Sequence, residues 1–112
     1  MTAEDFRRIT LALDGAIEKS HMGHPDFRVN GRIFATLVAQ EEWGVVMLTP
    51  EEQREFMRGA TKVFVPAAGA WGRQGCTRIR LADADEPTVR SAVITAWERI
   101  KQKPPARPRK RR

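Results

Sequence analysis

Residues 21–38 read HMGHPDFRVNGRIFATLV, and the Asn30-Gly31 pair at their centre specifies a β-hairpin. Asparagine followed by glycine supplies the two positive φ values of a type I′ turn, with a strand-forming run on each side and no spacer. If Val29 faces Arg32 across the turn, Arg28 faces Ile33, Phe27 faces Phe34 and Asp26 faces Ala35. This register puts Phe27, Val29 and Phe34 on the core face. The opposite face then carries Arg28 beside Ile33, Ala35 and Leu37. It is too apolar for full solvation yet charged, so ligand contacts of the hairpin are expected there or at its tip.

Outward from the hairpin, the remaining elements follow from periodicity and capping. On the N-terminal side, Thr2 and Asp5 form a capping-box-like pair ahead of Phe6, Ile9 and Leu13 at helical spacing, and Gly15 ends that helix. A short extended segment over 17–21 leads into the hairpin, and the β formers of 43–48 read as a third strand. Thr49-Pro50-Glu51-Glu52 then opens a helix with a capping threonine, a first-turn proline and acids that oppose the helix dipole; Phe56 and Met57 anchor it and Gly59 closes it. A strand over 62–65, a loop over 66–75 with glycines at 69, 72 and 75, and a final strand over 77–81 follow. Asp85 or a neighbour starts the last helix, in which Val89, Ala92, Val93, Ala96, Trp97 and Ile100 form an i, i+3, i+4 stripe. Pro104, Pro105 and Pro108 forbid its continuation. The expected fold is α+β in two layers, ordered α-β-β-β-α-β-β-α. Its antiparallel sheet has about five strands, with the first and last helices on one face. The domain spans residues 1–102, and 103–112 form an extended or disordered basic tail.

At 112 residues the chain accommodates one domain, able to bury roughly two thirds of its extended-chain surface. No apolar run approaches the roughly 18 residues of a membrane span, so no membrane partner is expected. The opening MTAEDFRR lacks the apolar core of a signal peptide, and the single Cys76 cannot form an internal disulfide, so the cytoplasm is the expected compartment. The formal charge of +6 is unevenly distributed. Residues 101–112 hold 7 basic groups and no acid, whereas residues 1–100 hold 13 basic and 14 acidic groups. Affinity for a polyanion must therefore come from the tail or from a local patch.

The segments HPDFRVNGRIFATL, LTPEEQREF and the glycine-rich AWGRQG before TRIRL resemble the MmcQ/YjbR family over about residues 2–102. The resemblance implies a compact α/β domain whose antiparallel sheet has a double-wing, DNA-binding-like shape. The motifs that carry it determine fold and do not point to a reaction. At Ala70-Trp71-Gly72-Arg73 the chain departs from the Lys-x-x-Trp type element of many members.

Two basic sets are candidate phosphate contacts. In the tail they are Arg107, Arg109, Lys110, Arg111 and Arg112, each able to add roughly one unit of salt dependence without reading sequence. In the domain, Arg28 and Arg32 flank the hairpin tip, Arg73 lies in the glycine-rich loop, and Arg78 and Arg80 share one face of the last strand. The competing readings are a solvated tail and arginines that merely solvate a sheet face. Trp71 could stack on a base, but a lone loop tryptophan is expected to fold back over the core edge. The three glycines lack a following Lys-Ser/Thr and make a poor phosphate cradle. His21, His24 and Asp26 lack the spacing of zinc motifs, and Cys76, although it alternates with Arg78 and Arg80, has no evident base. The expectation is a non-enzymatic protein with no catalytic residue, cofactor or metal. It binds DNA without sequence preference, as a monomer or weak dimer. The alternative is a protein-interaction or chaperone-like module that uses the apolar face around Ile33, Ala35 and Leu37. An enzyme centred on His24 or Cys76 ranks last.

Overall fold

Thr2 opens α1 (Ala3–Leu11) with a complete capping box: its hydroxyl accepts from the Asp5 amide at 3.1 Å, and its own amide donates to the Asp5 carboxylate at 2.9 Å. Phe6 and Ile9 form the buried face of this helix, and the chain turns at Gly15 into β1 (Ile17–His21). The computed structural model describes residues 1–38 and 40–104. Within them, β1, β2 (His24–Val29), β3 (Arg32–Val38), β4 (Trp43–Met47), β5 (Phe64–Pro66) and β6 (Cys76–Arg80) form one antiparallel sheet. The strand order is β1-β2-β3-β4-β6-β5.

The sheet thus has six strands where about five are expected. The additional one is the extended segment before the hairpin, which pairs with β2 from Ile17↔Arg28 to His21↔His24. Met22 and Gly23 turn between them with φ of 49° and 81°, the same handedness as Asn30 and Gly31 at 54° and 75°. Every residue of β1 is exposed, so the strand carries no burial pattern by which sequence could mark it. A charged side chain, Lys19, sits mid-strand on this open edge, as edge strands require to discourage further pairing.

The Asn30-Gly31 hairpin begins as its sequence requires, with Val29↔Arg32 and Arg28↔Ile33, and then shifts. A bulge at Phe27/Arg28 makes Phe27 face Ala35 and Asp26 face Thr36, in place of Phe34 and Ala35. The extra residue is Phe34. Because side chains alternate with period two, a one-residue shift exchanges the faces of all that follows. Ala35 and Leu37 consequently lie in the core, each with no exposure, and the opposite face receives Thr36 and Val38. Phe27 and Phe34 are both fully buried, each contributing about 1.5–3 kcal/mol of hydrophobic stabilisation.

Helix α2 (Pro50–Met57) has a capping box of Thr49 with Glu52 and a first-turn proline. Its exit turn, with Phe64 N–H donating to Ala60 O at 3.0 Å, delays β5 to Phe64 rather than Lys62. The glycine-rich segment is not all loop: Gly69–Arg73 forms the short α3. A 3₁₀ turn (Leu81–Asp83) precedes α4 (Glu86–Lys101), capped by Asp85 accepting from the Thr88 amide at 2.9 Å. The stripe Val89, Ala92, Val93, Ala96 and Ile100 is buried against the sheet, and Trp97 at its border donates Nε1–H to Asp14 O at 2.9 Å. Helices α1 and α4 pack together across β2, β3 and β4, and Phe56 of α2 meets Phe64 on the same side. Among the described residues only the short α3 borders the sheet on the opposite side, beside β5 and β6, and no helix is long and apolar enough to cross a membrane.

Candidate nucleic-acid interface

Alternation along the strands decides which side chains reach the face opposite α1 and α4. Cross-strand partners carry the assignment across the sheet: Lys19, Asp26, Thr36, Val45, Arg78 and Val65 face one another in turn, strand by strand. One step along lie Val38, Trp43 and Arg80, and at the other end Met47 and Cys76. Among the strand residues described, the face therefore carries Lys19, Arg28, Arg78 and Arg80 against one acid, Asp26.

Asp26 is fully buried and already saturated. Arg28 donates Nε–H and Nη2–H to its two oxygens at 2.7 and 3.0 Å, and His21 Nδ1 lies 2.7 Å from Oδ2. An ionised carboxylate only accepts, so His21 carries its proton on Nδ1. The hydrogen bonds from Arg28, assisted by His21, hold the Asp26 carboxyl below its ordinary value despite the opposing effect of burial. Arg28 is thus ion-paired with Asp26 beside the hairpin tip. The Asp-Phe-Arg spacing, two residues on one strand face, was the signal for it.

Arg78 and Arg80 are arranged differently. Their guanidinium carbons lie 4.8 and 4.4 Å from the centroid of the Trp43 ring, within cation–π range. Arg80 also donates Nε–H to Lys62 O at 3.3 Å and pairs with Asp83 at 3.5 Å. Arg78 Nε is buried with no hydrogen-bond partner among the described residues. The role of Trp43 was not legible in sequence, because β4 meets β6 across two intervening helices and a strand.

Beside this cluster an open groove of about 410 Å³ runs between His21 and Trp71, with Val38, Val45 and Met47 in its floor and Arg78 and Cys76 among its walls. Trp71 is 69% exposed and does not fold back over the core edge as expected. The reason lies in α3: a Cβ on Gly72 would stand 1.8 Å from Ala67 O, and Gln53 of α2 donates to Gly72 O at 3.1 Å. The turn is seated by its backbone, which leaves the indole outside. Burial raises the Cys76 thiol pKa, and the charge of Arg78 offsets this only in part. His24 stacks edgewise on His21 at 6.3 Å, and among the described residues no group of three or more His, Cys, Asp or Glu side chains has a geometry that could hold a metal ion.

The remaining candidates lie elsewhere. Arg32 shares the helix side with Val29 and donates Nε–H to Pro104 O at 3.1 Å, while Asn30 Nδ2–H donates to Lys101 O at 2.8 Å. The hairpin tip is thus bound to the end of α4, where the chain leaves toward its basic tail. Arg73 is exposed at the end of α3. Arg107, Arg109, Lys110, Arg111 and Arg112 lie outside the described residues.

A family model described as YjbR matches residues 11–99. The crystal structure of the Deinococcus radiodurans protein DR2400, with a DUF419 family-model domain, superposes with a TM-score of 0.73 at 16% identity. The match covers 91% of this chain and 80% of that one; at this identity the likeness is one of fold. Comparison with curated proteins finds no match.

Proposed function

The chain belongs to the YjbR family, and from the cationic face opposite α1 and α4 in this member we propose a small, non-enzymatic DNA-binding protein that grips phosphates without reading sequence. The observation that supports it best is the cationic cluster on that face: Arg78 and Arg80 stand on Trp43, and of the two only Arg80, with Asp83, makes a salt bridge among the described residues. Phosphate contacts of this kind position a duplex but carry no base readout. The basic tail, leaving from the corner held by Arg32 and Asn30, adds counterion release. A lone cysteine whose thiol stays protonated suits the reducing cytoplasm, where this function would operate.

The test is duplex DNA binding as a function of salt, for the intact chain and for one ending at Gln102. Arg78→Ala with Arg80→Ala is expected to flatten the slope of log affinity against log salt by about 1–2 units, and the truncation by more. Absence of binding at low salt would remove the proposal. Binding that vanishes on truncation and ignores both arginines would assign it to the tail alone.

A second reading is a protein-interaction surface, favoured by exposed apolar side chains at the β1 edge and turn, Ile17 at 50% and Met22 at 92%. Ile33 remains available to it; Ala35 and Leu37 are in the core and are not. Sedimentation as a monomer, with no loss of a captured partner on Ile17→Asp, would count against this reading.

A further inference from the structure

We propose that the groove between His21 and Trp71 accepts an unpaired nucleobase, so that the protein holds single-stranded DNA more tightly than duplex; this rests on the DNA-binding reading above. A groove of about 410 Å³ falls in the size range of small-ligand sites, roughly 300–1,000 Å³. Its floor of Val38, Val45 and Met47 offers apolar contact to a ring, and its wall is an indole left 69% exposed. A base inside a duplex has both faces covered by its neighbours, so only an unpaired one can place a face on Trp71. Such stacking tolerates any base, because each presents a π-face.

Two further features select an anionic strand over a neutral apolar guest. Arg78 lines the groove with its Nε buried and unpartnered among the described residues. Its guanidinium, held over the Trp43 ring at 4.8 Å, turns its terminal N–H groups to a base carbonyl or phosphate oxygen. The helical turn that carries the indole is also firmly placed: Gly72 lets α3 sit directly on Ala67, and Gln53 joins Gly72 O to Thr77, which it meets at 2.9 Å.

The experiment compares three labelled DNAs with the full chain at low salt: a thymine strand of about 12 nucleotides, an abasic strand of the same length and charge, and a duplex of the same length. The thymine strand should bind about tenfold more tightly than either of the others. Trp71→Ala should abolish that margin and Trp71→Phe retain part of it, with duplex affinity and melting temperature unchanged because the side chain lies in solvent. Equal affinity for all three DNAs would overturn the base site while leaving phosphate binding intact. A margin that survives Trp71→Ala would equally overturn it. Failure to bind any of them would instead remove the DNA-binding reading itself.

Discussion

The Asp26 carboxylate has no solvent-accessible surface and receives Nε–H and Nη2–H of Arg28 at 2.7 and 3.0 Å, on the sheet face opposite α1 and α4. An acid in this position is tolerable only because a bidentate guanidinium and an imidazole satisfy it. The arrangement shapes the charge of the surface: Arg28 is paired with Asp26 and Arg80 with Asp83, whereas Arg78 makes no salt bridge among the described residues.

Replacing Asp26 by asparagine should lower the free energy of unfolding by about 2–3 kcal/mol, less than for a fully buried pair because Arg28 can regain water. Its carboxyl pKa is held down in the folded state, so the contribution is fully present above the unfolded value, near pH 4, and is lost as pH falls through the lower folded value. Urea melts from pH 6 down to about pH 2 should therefore show a steeper acid loss in the wild type than in Asp26→Asn. Parallel curves would refute the role given to the pair.

Arg28→Ala separates charge from structure. The variant should unfold about 3 kcal/mol more easily, since it strands a buried carboxylate that His21 alone must hold. Its duplex affinity should keep the wild-type salt slope, in contrast to Arg78→Ala. A slope that falls by a full unit would return Arg28 to the phosphate contacts.

At the hairpin tip, Asn30 combines a φ of 54° with a hydrogen bond to Lys101 O. Alanine there loses both, at a cost of about 2 kcal/mol, whereas glycine keeps the turn and loses only the bond, at about 1 kcal/mol. Thermal melts of Asn30→Ala and Asn30→Gly should rank in that order. Equal losses would mean that the tie to α4, not the turn, is what matters.

Gly75 and Gly23 both have positive φ, at 111° and 81°, but only one is crowded. A Cβ on Gly75 would stand 2.0 Å from Leu48 O, and none on Gly23 would meet an atom within 4 Å. Gly75→Ala should cost at least about 3 kcal/mol, against about 1–2 for Gly23→Ala. Calorimetry showing the two variants equally stable would contradict the close packing of that backbone on Leu48.

The parts legible in the sequence are those set by neighbouring residues. Asn30-Gly31 determines its turn because two consecutive positive φ values are tolerated by few other pairs. Thr2 with Asp5, Thr49 with Glu52 and Asp85 with Thr88 determine helix starts through contacts three residues long. The stripe from Val89 to Ile100 determines the buried face of α4 by period alone. Tertiary structure decided the rest. The bulge opposite Phe27 moved Ala35 and Leu37 into the core, a choice made by packing across the sheet and not by the turn. The exposed β1 is a strand only because β2 offers it an edge. Arg78 and Arg80 meet Trp43 only because β6 crosses back beside β4, and Trp71 stands in solvent because Gly72 rests on Ala67. Local dihedral preference and periodicity act within a few residues, whereas the face a side chain takes in a sheet depends on strands far apart in the chain, and the candidate site is built from those faces.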